Sequence, residues 1–228
     1  MILVAASGLA REVMAAIEAG STYGVIGLLD DNIDLHGTFI GAAAVLGSIT
    51  AAVEYPDANF VVCAGSGQSR AGIVARLADL GIGRDRCESI IHPSVSVPAS
   101  CDLGVGTVLL ANVVLTADVV VGDHVVAMPH AVLTHGTIID DYATLCSGVL
   151  LGGGVRVGKA AYLGMGSSVR EGVTVGEQGV LGMGASLLVD LPANEVWIGV
   201  PAKPTPSPAD SVRQDGSVAD RHRAAITQ

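Results

Sequence analysis

The sequence predicts a small Rossmann-like α/β domain over residues 1–90, followed by a left-handed parallel β-helix of hexapeptide repeats over residues 91–204. Three observations carry this. Short apolar runs alternate with helical patterns up to about residue 90. From Ile91 to Leu187 an aliphatic residue recurs at every sixth position. Aromatic residues make up only 3% of the chain, against 30 glycines, so the core is built from Val, Leu, Ile and Ala with tight turns between.

The elements follow in order. Ile2–Ala6 reads as a buried strand and Leu9–Ala19 as a helix with Val13, Ala16 and Ile17 on one face. Val25–Leu29 is a second strand ending on Asp30 and Asp31. A variable region follows, with a helix near Ser48–Glu54. Phe60–Ala64 is a third strand, running through the Gly65-Ser66-Gly67 turn into a helix over Ser69–Leu80, and Cys87–Ile91 is a candidate fourth strand. Near-continuous apolar strands alternating with helices argue a parallel sheet covered on both faces.

In the second half, the position four after a ladder residue is nearly always small or β-branched, as at Thr107, Val125, Ala143 and Ala161. Gly often follows the ladder residue, as at Gly122, Gly152 and Gly164. Three hexads, about eighteen residues, close one turn of a three-sided coil, and each coil supplies the next with backbone hydrogen bonds. Residues 205–228 are rich in Pro, Ser, Asp and Arg and read as a disordered tail.

The formal net charge of −10 disfavours binding to a phosphate backbone, so no nucleic-acid partner is expected. The four cysteines form no CxxC pair and fit reduced thiols in the cytoplasm. The apolar start lacks a basic n-region and meets Arg11 and Glu12 early, so it is read as a strand and not a signal. No stretch suits a membrane span.

Five segments, in this order, resemble one family. They are Ala6-Ser7-Gly8-Leu9-Ala10-Arg11-Glu12-Val13, Leu29-Asp30-Asp31-Asn32, Ala64-Gly65 followed by Arg70, the segment around His135, and Gly199-Val200-Pro201-Ala202-Lys203. Residues 1–204 resemble the bacterial sugar-nucleotide acetyltransferases, among them the N-acetyltransferases of bacillosamine and perosamine biosynthesis and sialic acid O-acetyltransferase-like enzymes. The resemblance implies an acetyl-CoA-dependent acyltransferase acting on the amine or hydroxyl of a nucleotide-linked sugar. It further implies a homotrimer with active sites at the subunit interfaces, and no metal.

It also implies residue roles. Ser7, Gly8, Leu9, Asp30, Asp31, Gly65 and Arg70 would contact the nucleotide sugar, and His135 would be the general base. Thr144, Gly153, Met165 and Met183 would line the pantetheine path, with Lys203 or Arg156 facing the coenzyme phosphates. The physical chemistry agrees: a turn entering a helix offers free N–H groups to an anion, and a carboxylate at a strand end accepts hydrogen bonds from a ribose or base. Two positions depart from the family pattern. Gly136 stands where an acid commonly follows the histidine, and Thr144 where a second histidine is usual. Coil stacking places Asp118 beside Gly136, which makes it a candidate to orient His135, with Asp140 and Asp141 as alternatives.

Three other readings are compatible with the sequence: an acyltransferase for a different small acceptor, a γ-carbonic-anhydrase-like zinc enzyme, and an inactive binding protein. The zinc reading rests on His130 and His135. It needs a third ligand two coils earlier, where Ser94 stands and His92 is out of register.

Overall fold

The computed structural model describes residues 1–20 and 24–205. The N-terminal domain holds β1 (Ile2–Val4), α1 (Gly8–Gly20), β2 (Gly27–Leu29), β3 (Phe39–Ile40), β4 (Ala43–Gly47), β5 (Phe60–Val62) and α2 (Gly67–Asp79). Its sheet runs in the order β3-β4-β2-β1-β5, parallel throughout except for the β3–β4 hairpin. β1, β2 and β5 are wholly buried, as their unbroken apolar sequences require. α1 buries Leu9, Val13, Ala16 and Ile17, a helical stripe. Its first turn is capped by Ser7, whose hydroxyl accepts from the Ala10 amide at 3.3 Å.

Three local expectations are corrected. The variable region contains the β3–β4 hairpin, whose short strands carry too little alternation to be read. The expected helix at Ser48–Glu54 is a 3₁₀ turn over Ile49–Glu54. The fourth strand of this sheet does not form: Cys87 makes only an isolated bridge to Phe60. Ile90–Ile91 (β6) instead opens the coil, pairing with Val108–Leu109.

The coil continues through fifteen two-residue strands, β7 (Asp102–Leu103) to β21 (Ser186–Leu187). It closes with β22 (Val196–Ile198) and β23 (Lys203–Pro204). The strands sort into three sheets, parallel except for the β22–β23 pair, and these are the faces of a left-handed prism. The docking face presents Val108, Val126, Thr144 and Tyr162. The second face presents Val114, Val132, Leu150 and Ser168. The third presents Val120, Ile138, Arg156 and Thr174.

The aliphatic ladder fills the core from Leu109 to Leu187. Its first two members do not: Ile91 is 42% and Val97 36% exposed. They lie in the first turn, where no coil below covers them, and Ile90 is buried instead. The glycines that follow ladder residues permit close stacking. A Cβ on Gly152 or Gly164 would run into the backbone of the next coil.

The N-terminal domain sits on the docking face. Val108, Leu110 and Val126 share one cluster with Leu9, Val13 and Ile17 of α1. Burying each such side chain contributes roughly 1.5–3 kcal/mol. The tail expected over 205–228 lies, from residue 206 on, outside the described residues.

Candidate functional site

Two sites take shape, on opposite sides of the coil. The first is the crevice at the carboxyl ends of β1, β2 and β5, where open α/β sheets place ligands. Ser7, Gly8, Asp30, Asp31 and Gly65 gather there. Gly8 is exposed, with nothing near the position of a Cβ. The Ser7 hydroxyl donates to the Cys63 carbonyl at 2.6 Å, tying the first turn to the end of β5. Ala5, in the same turn, has a left-handed φ of 77°, a conformation costly for a residue with a Cβ.

Asp30 accepts from the amides of Ala6 (2.7 Å) and Asn32 (2.8 Å), so its carboxylate also braces the loops. Asp31 pairs with Arg76 at 2.5 Å and accepts from the Ile49 amide at 3.2 Å. The Arg76 hydrogen bond holds its carboxyl below the usual range. His36, which the sequence reading passed over, reaches the Asp30 carbonyl with Nε2 at 2.8 Å. No periodicity or motif marked it.

Leu9 is 6% exposed and belongs to the core, so its side chain is no ligand contact. Arg70 is corrected more sharply. It is fully buried. Its Nε donates to the His124 carbonyl (2.7 Å), Nη1 to Ala64 (2.6 Å) and Gly65 (3.4 Å), and Nη2 to Tyr142 (2.7 Å), Ala143 (3.0 Å) and the Thr144 hydroxyl (3.0 Å). Burial lowers its pKa to about 10, which leaves it charged at neutral pH. Its donors are committed to protein oxygens, so Arg70 joins α2 and the crevice loop to the coil and leaves nothing for a nucleotide.

The second site is a corner. Following the chain, the first corner joins the docking face to the second face, the second corner joins the second face to the third, and the third corner returns to the docking face. His135 lies exposed on the second corner. Its ring rests on Gly153 of the next coil, where a Cβ would fall 2.5 Å from Nε2. Only glycine leaves room for the imidazole in this pose. Asp118 lies one coil below, at the left-handed position under Gly136. The ring is turned to the coil above, and neither His135 nor the Asp118 carboxylate has a side-chain hydrogen bond among the described residues. The structure therefore does not bring the two together. Asp140 and Asp141 are on the third corner, away from His135; Asp141 accepts from the Asp123 amide at 2.8 Å.

The four pantetheine positions do not share one path within the chain. Gly153 is beside His135 on the second corner. Met165 and Met183 stack on the first corner, 59% and 77% exposed. Thr144 is fully buried on the docking face and donates to the Gly65 carbonyl at 2.9 Å. Thr144 is thus part of the domain contact, because the N-terminal domain covers that rung. His130 and His135 occupy different corners, at either end of one strand. Among the described residues no three His, Cys, Asp or Glu side chains stand together as a metal site.

The third corner packs against α2. His124 is buried there, its ring stacked on Tyr142 at 5.4 Å and 3°. Desolvation, then the Arg70 and Arg84 cations, lower its pKa to about 4, so it is neutral. Arg84 pairs with Asp123 at the rim.

Residues 1–77 match the family described as the PglD N-terminal domain. PerB from Caulobacter crescentus, solved with CoA and GDP-perosamine, is 29% identical over 90% of this chain and 96% of its own, with a TM-score of 0.83. The chain is similar throughout to hexapeptide-repeat sugar-nucleotide acetyltransferases, and its first third carries the PglD N-terminal domain. The acetyltransferase domain of PglB from Neisseria gonorrhoeae FA1090, solved with acetyl coenzyme A, is also 29% identical, over 90% of this chain and 98% of its own, at a TM-score of 0.81. WeeI from Acinetobacter baumannii AYE, at 23% identity, 90% and 98% coverage and a TM-score of 0.81, shares the fold. No curated protein matches the chain. The PerB and PglB structures, solved with CoA or acetyl coenzyme A, align over both parts of the architecture described above.

Proposed function

We propose that this protein transfers the acetyl group of acetyl-CoA to the amine, or hydroxyl, of a nucleotide-linked sugar, with His135 as general base. One observation carries the reading: an exposed histidine whose ring rests on the bare backbone of Gly153 in the next coil. The base takes a proton from the acceptor as its nitrogen or oxygen attacks the thioester carbonyl. The tetrahedral intermediate then releases coenzyme A as the thiolate, which is protonated. The Gly153 amide, beside His135 and bonded to no protein acceptor among the described residues, is the candidate donor to the thioester oxygen. Ser7, Gly8 and Gly65 would hold the acceptor's diphosphate at the starts of α1 and α2.

The geometry also supports a homotrimer with shared active sites. The crevice lies over the docking face, whereas His135 stands on the corner opposite that face, with the coil core between them. Each side of the prism spans roughly 20 Å at strand extension. A sugar held in one chain's crevice would therefore meet the His135 of another copy. The glycine columns on the first and second corners, with Met165 and Met183, fit a thin flexible chain lying between two coils.

The test is a coenzyme A release assay across nucleotide-linked amino sugars, with His135→Ala beside the wild type. Turnover is expected to fall by roughly 10²–10⁴-fold in the variant. Undiminished release would remove His135 from the role. The oligomer is checked by sedimentation, where a monomer with full activity would overturn the shared site.

A further inference from the structure

The docking face is covered only part of the way up. Val108, Val126 and Thr144 are wholly buried beneath the N-terminal domain. The next rung is Tyr162, paired in register with Thr144 and 38% exposed. Above it Val180 is half-buried and Val196 is 42% exposed. The edge of the cover therefore falls at Tyr162.

That edge is also the mouth of the crevice. Thr144, one rung below, donates to the carbonyl of Gly65 at the end of β5. On one side, the start of α2 lies along the third corner: a Cβ on Gly67 would strike the Tyr142 carbonyl and Ala160, and Gln68 bonds Gln178. On the other side, Glu12 of α1 lines a cleft of about 210 Å³ with Leu110 and Pro129, at the first corner. Tyr162, on the face between these two corners, is one rung beyond the Thr144–Gly65 contact. The phenol lies against the buried Cys146 thiol, and this contact, together with burial, pushes it up to about 12, so it remains a hydrogen donor at any working pH.

We infer that the Tyr162 ring is the coil's contribution to the acceptor site, packing against the sugar of the nucleotide-linked acceptor. This rests on the acceptor proposed above. The two helix starts accommodate the diphosphate at the strand ends, so the group one rung further out meets what lies beyond the diphosphate, which is the pyranose. An aromatic face covers the C–H face of a pyranose while its hydroxyl end stays polar. Tyr162 is thereby a specificity residue in the chain that binds the acceptor, distinct from the His135 that another copy supplies.

The experiment measures four quantities for wild type, Tyr162→Ala and Tyr162→Leu: KM for the nucleotide sugar, KM for acetyl-CoA, the Kd for the matching free nucleoside diphosphate by calorimetry, and Tm. The Leu variant keeps a β-compatible side chain on the rung, so folding is preserved even if Ala weakens the coil. Expected in both variants is an acceptor KM raised roughly tenfold, close to the value of one well-packed aromatic contact. The nucleoside diphosphate Kd and the acetyl-CoA KM should stay within a factor of about two. An unchanged acceptor KM overturns the inference. So does a nucleoside diphosphate Kd that rises in step, since the ring would then sit on the nucleotide. A wild type that neither binds nucleoside diphosphates nor acetylates any nucleotide sugar removes the acceptor reading itself, and this inference with it.

Discussion

The second and third corners of the coil are made from the same six-residue turn, yet they are used in opposite ways. Each turn needs one residue with left-handed φ. On the third corner that position holds His124, Tyr142, Ala160 and Gln178 above Gly106. On the second it holds Gly136, Gly154 and Gly172 above Asp118. A Cβ in this conformation costs about 1–2 kcal/mol, less for Asn, Asp or His. The third corner tolerates this strain because its side chains and carbonyls meet α2: His124 stacks on Tyr142, and the carbonyls of both accept from Arg70. The second corner carries almost no side chains there, and His135 stands over bare backbone. Side chains at the left-handed position bind the domains together, and glycines at it leave backbone bare beside His135.

The largest expected effect breaks the third corner. Arg70→Met would leave the carbonyls of Ala64, His124 and Tyr142 without the guanidinium donor that each accepts from. We expect a loss of about 3–5 kcal/mol in denaturant unfolding. A change below 1 kcal/mol would mean that the domains do not depend on this contact.

Next comes pH. His124 has a folded pKa lowered to about 4, below its unfolded value of 6.5. Between those two values the unfolded chain binds the proton and the folded chain does not. Stability is therefore fully present above about pH 6.5 and falls as pH drops towards about 4, by about 2–3 kcal/mol in total. His124→Gln should flatten this part of the stability–pH curve, and an identical slope in the variant would assign the titration elsewhere.

Gly153→Ala sharpens the other side of the comparison. Its backbone is not left-handed, so the methyl group acts by displacing the His135 ring. A fall of roughly tenfold in kcat with Tm nearly unchanged is expected. Equal kcat would show that the ring works in another pose. The smallest effect belongs to Asp118→Asn. Because the ring is turned to the coil above, kcat should stay within about threefold and the basic limb of the pH–rate profile should not move. A shifted limb would restore Asp118 as the orienting acid.

Parts of this were legible in the sequence for identifiable reasons. The ladder from Leu109 to Leu187 was readable because each coil repeats the same environment, so burial shows as a strict period. Ile91 and Val97 followed that period without being buried, since periodicity does not say where a stack ends. α1 was readable from its apolar stripe, while the β3–β4 hairpin had no such signal. His135 could be placed at a coil edge by counting, and Asp118 beside Gly136 likewise. The direction of the His135 ring could not, because it depends on Gly153 being empty one coil above.

Arg70 marks the limit most clearly. Its place after Ala64-Gly65 suggested a cation aimed at a nucleotide, yet it is turned inward and buried among carbonyls of two domains. The sequence alone determined the scaffold, because hexad burial, turn glycines and strand composition are local and repeat along the chain. Tertiary structure alone decided which face the N-terminal domain covers. That docking buried Thr144 and Arg70, left Tyr162 at the margin, and put His135 on the far side of the core. These outcomes rest on contacts between residues far apart in the chain, which no local period records.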